Sequence, residues 1–312
     1  MSLTNQVEGA AVRRAAAGPV FDLAYSVLKD HIEYRKFCSG EVSRAEFADF
    51  LDSIAPMLVE AGLPAEDVHF AKRYPASASA FVDGKLAALH QARVLPSADY
   101  NRGWYQQLAA EIQGNHDHGP FRTYIYPEEA RLLFAFADIV RPKSVMFLGS
   151  YYGYWAHAAL AAVVKNGGRA VLIDPDPRAQ EVARRNVERV GLQGAVEFAI
   201  TTGEAYLANP CTLYDFVVLD AEGPRTHPDP EQRGKAIYGR LLRHALPHMA
   251  SGAYLVCHNI LFEDIAGCPY FDRIIARNHD ELGPFMDLVR REFLEFIECT
   301  STEGVGIGRC AG

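Results

Sequence analysis

The chain has no CxxC cysteine pair. Its six cysteines (Cys38, Cys211, Cys257, Cys268, Cys299 and Cys310) are scattered along 312 residues. That scatter excludes a zinc-finger spacing and a disulfide framework, and it suits free thiols in the cytoplasm. No apolar run approaches the ~20 residues that cross a bilayer, so no membrane partner is expected. Positive charge is in the minority: 31 Lys and Arg against 39 Asp and Glu leave a net charge of −8. A chain of this kind, without a basic stripe, is not a default nucleic-acid binder. Residues 1–25 lack a continuous apolar segment followed by a small-residue cleavage pattern, so they read as a short mobile leader and not a signal peptide. Internal repeats and low-complexity segments are absent too. What remains is the composition of a soluble globular protein, 49% hydrophobic and 22% charged, long enough for one large domain or two.

The first third is helical in pattern. Residues 20–37 and 44–61 repeat apolar side chains at helical spacing, as in Phe47, Phe50, Leu51, Ile54 and Leu58. Ser43 stands as an N-cap, Gly62 and Pro64 close the second stretch, and Pro56 inside it is expected to kink or divide it. Residues 77–92 and 102–112 follow the same logic, and residues 114–120 (GNHDHGP) form a linker.

Beyond Pro120 the texture changes. Short apolar runs at 144–148 (SVMFL), 170–174 (AVLID), 196–201 (VEFAIT), 216–220 (FVVLD) and 253–258 (AYLVCH) alternate with longer helical stretches at 155–164, 178–190 and 237–246. Strand, helix, strand in succession predicts a parallel sheet covered on both faces. Two later runs, 296–301 (FIECTS) and 305–309 (VGIGR), are too close for a parallel crossover and should pair as an antiparallel hairpin. The expected fold is α/β, a Rossmann-like doubly wound sheet with a C-terminal antiparallel hairpin over residues 119–312. An N-terminal helical region, residues 1–118, precedes it as a lid or dimer surface.

The first strand runs into GSYYGYW (149–155) and a helix follows. In an open α/β sheet ligands lie beyond the carboxyl ends of the strands, so this turn faces a crevice. Gly149 and Gly153 are expected to let the backbone approach a ligand, although the turn lacks the central glycine of a dinucleotide fingerprint. Asp174 ends the second strand about 20 residues further on, where an acid meets a ribose in nucleotide-binding α/β folds. Its alternative task is to favour the start of the helix after Pro175 and Pro177. Residues 201–207 (TTGEAYL), ending the third strand, offer Gly203, Glu204 and Ala205 to an adenine.

Taken together, FLGSYYGYW, VLIDPDPRAQEVARRNVERVGL, VEFAITTGEAYL, YDFVVLDAEG and GAYLVCHNIL resemble the class I S-adenosylmethionine-dependent methyltransferases, and within them the catechol and caffeoyl-coenzyme A O-methyltransferase group. The resemblance runs from about Phe121 to the C-terminus and implies a seven-stranded sheet. It assigns the methionine part of the cofactor to Gly149, Ser150, Tyr151 and Gly153, the ribose to Asp174 with Pro175, and the adenine to Gly203, Glu204 and Ala205, with Asp220 close by. Many relatives hold a divalent cation with an Asp ending the fourth strand and an Asp-Asn pair ending the fifth. Here the set is Asp220, His258 and Asn259. The imidazole disfavours Mg²⁺ and favours Mn²⁺, Fe²⁺ or Zn²⁺; without metal, His258 becomes a base or an orienting donor. Relatives often carry a lysine shortly after the fourth-strand Asp, where this chain has Gly223. Arg225 and His227 lie near, and His227, like His116 and His118, is expected to be solvated.

The resulting expectation is a methyltransferase with Asp220 and His258 as catalytic residues, acting on a small phenol, a catechol-like compound or an amino-acid-derived secondary metabolite, and forming a homodimer. The alternatives are an N- or C-methyltransferase without metal, an NAD-dependent dehydrogenase, and a binding module that keeps the fold without catalysis.

Overall fold

A computed structural model describes residues 26–311 apart from 40, 64, 66–67, 74–76, 122, 124, 209–211 and 263–268. The expected leader, Cys211 and Cys268 fall outside the described residues.

Seven strands form one sheet: β1 (Ser144–Leu148), β2 (Arg169–Ile173), β3 (Val196–Ala199), β4 (Tyr214–Leu219), β5 (Met249–His258), β6 (Phe293–Cys299) and β7 (Val305–Cys310). Their order is β3-β2-β1-β4-β5-β7-β6. The first five are parallel, and β7 runs antiparallel between β5 and β6. The doubly wound sheet, its hairpin and the preceding helices therefore match the expected architecture. Alternation explains why the sheet is covered twice. Val145 and Phe147 of β1 enter one apolar core, while Met146 and Leu148 enter the other.

The first core is closed by α4 (Ala78–Gln91), α5 (Arg102–Asn115), α6 (Pro127–Val140), α7 (Tyr154–Lys165) and α8 (Pro177–Arg189). The second is closed by the short α9 (Gly203–Leu207), α10 (Ile237–Ala245) and α11 (Pro269–Glu292), through Leu207, Tyr238, Leu241, Phe285 and Val289. Helices α4 and α5 thus pack on the sheet. A separate cluster of Leu28, Tyr34, Phe47, Leu51, Leu58 and Val68 joins α1 (Ile32–Ser39), α2 (Arg44–Glu60) and α3 (Val68–Arg73).

Two local expectations need correction. Of the helix expected over 20–37, residues 20–25 lie outside the described residues; the rest is broken at 29–31, between a helical turn at 26–28 and α1, which starts at Ile32. Pro56 does not divide α2, which runs continuously for 17 residues. The N–H that proline lacks would have met the carbonyl of Asp52, an exposed residue whose carbonyl water can satisfy. The start of α2 is built as its sequence requires: Ser43 Oγ accepts from Glu46 N at 3.2 Å, and Glu46 Oε2 accepts from Ser43 N at 2.8 Å.

Candidate active site

The carboxyl ends of β1, β2, β4 and β5 bring the glycine turn, Asp174, Asp220 and His258 to one edge of the sheet. The turn after β1 is held from below. Gly149 N and Ser150 N both donate to Ile173 O at 3.0 Å, and Gln180 Nε2 donates to Ser150 Oγ at 2.7 Å. Gly149 has φ +80°, and a Cβ there would stand 2.4 Å from Ala221 Cα and 2.7 Å from Asp220 O. A Cβ on Gly153, φ +78°, would meet Ala183 Cβ at 3.1 Å. Both glycines thus serve the chain's own packing, in addition to the expectation that they let the backbone approach a ligand. Tyr151 adopts φ +49° and is 40% exposed.

Asp174 ties the turn to β2. Its Oδ2 accepts from Tyr151 N at 2.8 Å and its Oδ1 from Asp176 N at 3.0 Å. The helix cap itself is Asp176, which accepts from Arg178 N. Burial raises the Asp174 carboxyl above its ordinary value, against the lowering effect of those two backbone bonds. A carboxylate has room for about four hydrogen bonds, so each oxygen keeps a lone pair for a further donor. Those unused lone pairs and the exposed turn beside them fit a ribose with two adjacent hydroxyls. Pro175 is exposed next to it, as is Ala205 at the start of α9. Glu204 is committed to Arg240, with Nε 3.1 Å from Oε1. The hydroxyl of Thr202, not singled out in the sequence, caps α9 by accepting from Ala205 N.

Asp220 and His258 are brought together, with His258 Nδ1 3.5 Å from Asp220 Oδ1. The other ring nitrogen, Nε2, lies 2.9 Å from Glu129 Oε2. Burial by itself would strip the ring of its proton, but the negative charges of Glu129 and Asp220 outweigh it and push the pKa up to about 10. His258 is thus an imidazolium clamped between carboxylates, packed on Trp155 at 4.8 Å between ring centroids. It holds its proton firmly and is only 2% exposed, so this geometry does not provide the expected base. Burial would raise Asp220 too, yet His258 and Lys235 hold its carboxyl below the ordinary range.

The expected metal set does not fit these positions. Both nitrogens of His258 face carboxylates, Glu129 on one side and Asp220 on the other. Among the described residues no group of three or more His, Cys, Asp and Glu is arranged to hold a metal ion.

Two groups in this site were not singled out in the sequence. Glu129, on the first turn of α6, accepts from Tyr126 N, Ser301 Oγ and Glu303 N as well as facing His258. Its neighbour Glu128 accepts from the Thr302 backbone and hydroxyl. Burial, then the charge of Glu129, pushes its carboxyl up to about 8. The second group is Lys235. Gly223 and Gly234 form an antiparallel bridge, and the residue after that bridge carries its ammonium back to Asp220 Oδ1 at 3.3 Å.

The flanking histidines divide. The His227 ring bonds within its own loop, to Asp229. His116 is not solvated: its Nδ1 lies 3.1 Å from His157 Nδ1, and its Nε2 lies 3.1 Å from Asn186 Nδ2. His118 Nδ1 meets Tyr152 OH at 2.9 Å. The pair fastens the end of α5 to α7 and α8.

Residues 146–260, which carry every strand end of this site, match the family model described as a methyltransferase domain. A catechol O-methyltransferase from Niastella koreensis is 29% identical over 106 residues, 32% of this chain and 47% of that protein. The match therefore spans about half the length of that curated relative. Among solved structures, a putative caffeoyl-CoA O-methyltransferase from Staphylococcus aureus is 13% identical with a TM-score of 0.49, covering 73% of this chain and 99% of that one. An O-methyltransferase from Bacillus cereus in complex with SAH is 15% identical with a TM-score of 0.46, covering 67% and 91%.

Proposed function

We propose that this chain is an S-adenosylmethionine-dependent O-methyltransferase acting on a small-molecule acceptor. The observation that carries the reading is Asp174: a buried carboxylate ending β2, bonded to the glycine turn after β1, with acceptor capacity left over beside the exposed Tyr151 and Pro175. In this reading Gly149, Ser150, Tyr151 and Gly153 border the methionine part, Asp174 and Pro175 the ribose, and the backbone of Gly203, Glu204 and Ala205 the adenine. The named activities of the similar proteins support it.

Bound there, S-adenosylmethionine supplies a methyl group already activated on sulfur. The chain's task is alignment and exclusion of water, and a well-oriented approach is worth roughly 7–11 kcal/mol of barrier. Asp220, ionised and 24% exposed, is the carboxylate placed to accept a hydrogen bond from the acceptor's hydroxyl. His258 acts through Asp220, keeping its carboxylate in place. The acceptor class in this reading is a phenol, a catechol-like compound or an amino-acid-derived metabolite, and the assembly is a cytoplasmic homodimer.

The test is a radiolabelled methyl-transfer screen against such acceptors, run beside calorimetry of S-adenosylmethionine on wild type and Asp174→Ala. The proposal expects cofactor binding that weakens about 100-fold or more in the variant, since each charge-assisted bond contributes about 1.5–3 kcal/mol. Equal affinity in the two proteins refutes it.

A further inference from the structure

Below the acceptor side of the cleft, two acids and two bases form one unbroken row: Glu129, His258, Asp220 and Lys235. Lys235 is 3% exposed. Its Nζ donates to Asp220 Oδ1 at 3.3 Å, Ala221 O at 3.1 Å and Tyr238 OH at 3.2 Å. An ammonium has three N–H donors, and here each has an acceptor. A lysine buried this deeply is costly unless it is paired and hydrogen-bonded, and this one is both. Its backbone is pinned as well: Lys235 N donates to Glu281 Oε2 at 2.6 Å, and Tyr238 OH passes the chain on to His258 O at 2.8 Å.

We infer that Lys235 is the resident cation of this site: its ammonium, seated on Asp220 beside His258, takes the place that the resemblance gives to a divalent ion, and the site is complete without metal. The inference rests on reading the cleft as a methyltransferase site.

The geometry carries it. Asp220 Oδ1 already faces Lys235 Nζ at 3.3 Å and His258 Nδ1 at 3.5 Å, and a metal on the same carboxylate would sit close to the ammonium, with strong repulsion at that range. A ligating histidine must present a neutral nitrogen, and both nitrogens of His258 point at carboxylates. A hard cation also needs about six oxygen ligands, and of the oxygens here Asp220 Oδ1, Ala221 O and Tyr238 OH are already taken by Lys235 Nζ. Lys235 does not reach the reacting atoms; it is a positioning residue that acts through Asp220.

The experiment is calorimetric titration of MnCl₂ and MgCl₂ into the full chain, with and without S-adenosylhomocysteine, together with thermal unfolding in the presence of Mn²⁺ or a chelator. The expected result is no saturable heat at millimolar metal and an unfolding temperature indifferent to both additions. Lys235→Met keeps the stem but removes the charge and frees Asp220. That variant leaves Asp220 and His258 without their cation and should unfold at a lower temperature than wild type whether or not Mn²⁺ is added, while Lys235→Arg should recover most of the loss. One-to-one Mn²⁺ binding by wild type that is lost in Asp220→Asn overturns the inference, as does a folded Lys235→Met protein as stable as wild type. Should Lys235→Met fail to fold, the wild-type and Asp220→Asn titrations decide alone. Metal binding with S-adenosylhomocysteine binding intact overturns this inference only; loss of nucleoside binding in wild type overturns the cofactor reading instead.

Discussion

Replacing Glu129 by glutamine preserves its shape and removes one charge, and the surroundings make that change severe. Oε2 receives Tyr126 N at 3.0 Å and faces His258 Nε2 at 2.9 Å, while Oε1 receives Ser301 Oγ at 2.7 Å and Glu303 N at 2.8 Å. Whichever oxygen becomes an NH₂ group, donors then face a donor. The Ser301 hydroxyl can turn to accept, so the amide nitrogen should settle on that side and leave Glu303 N unmatched. An unmatched buried donor costs about 1–3 kcal/mol, and a buried charge that loses its partner costs about 3–5 kcal/mol. Asp220 still faces His258 from the other side, which lowers that second figure. The expected loss is about 4–6 kcal/mol of stability. At about 2–4 °C per kcal/mol for a large domain, the unfolding temperature should fall by about 10–20 °C. Urea unfolding followed by tryptophan fluorescence measures it, because Trp155 Nε1 donates to Glu129 O and its ring packs on His258. Adding His258→Gln removes the orphaned charge, so the double variant should lose less than the sum of the two single losses. A Glu129→Gln protein within about 1 kcal/mol of wild type, inside the range of an ordinary surface pair, refutes the picture of a charged, saturated clamp.

Other perturbations follow from the same geometry. Gly149→Ala places a Cβ 2.4 Å from Ala221 Cα at φ +80°, so it should cost about 2–5 kcal/mol and weaken cofactor binding, as read by calorimetry. The histidine pair makes stability depend on pH. Burial first, then nearby positive charge, holds His116 at about 3 and His157 at about 4. Unfolded imidazoles take their protons near about pH 6.5, so below that pH the unfolded chain binds more protons than the folded one. Stability should therefore fall as pH drops from about 6.5 to 4, by up to about 1.4 kcal/mol per pH unit for each ring. Urea midpoints at several pH values, compared with a His116→Asn/His157→Gln variant, should show a flatter dependence in the variant. Equal slopes would contradict the buried pair.

Much of the sheet was legible because strands buried on both faces are near-continuous apolar runs, as in SVMFL and FVVLD. The hairpin was legible because residues 302–304 are too few for a crossover. Helices α6 and α11 were not singled out, although Pro127 followed by Glu128 and Glu129 is a helix start with proline in the first turn. In α11, Pro284 inside the helix hides a 24-residue element. The positions of Asp174, Asp220 and His258 at strand ends could be read from spacing. Their partners could not. Glu129 and His258 stand 129 residues apart, and Glu129 and Ser301 172 apart, so only the tertiary fold joins them. Lys235 was hidden for a related reason: the bridge between Gly223 and Gly234 returns it to Asp220, and no local pattern announces such a loop. The glycine turn shows the converse case, in which the residues were identified but a second reason for them, contact with Ala221 and Ala183, lay elsewhere in the chain.

The central claim is that Asp174 and the turn it holds bind the nucleoside of S-adenosylmethionine. Titration calorimetry of S-adenosylhomocysteine into the purified chain tests this most directly. One-to-one binding with micromolar affinity, lost in Asp174→Ala while the variant stays folded, is the outcome expected. A wild-type protein that gives no heat, or a folded variant that binds as tightly as wild type, contradicts it.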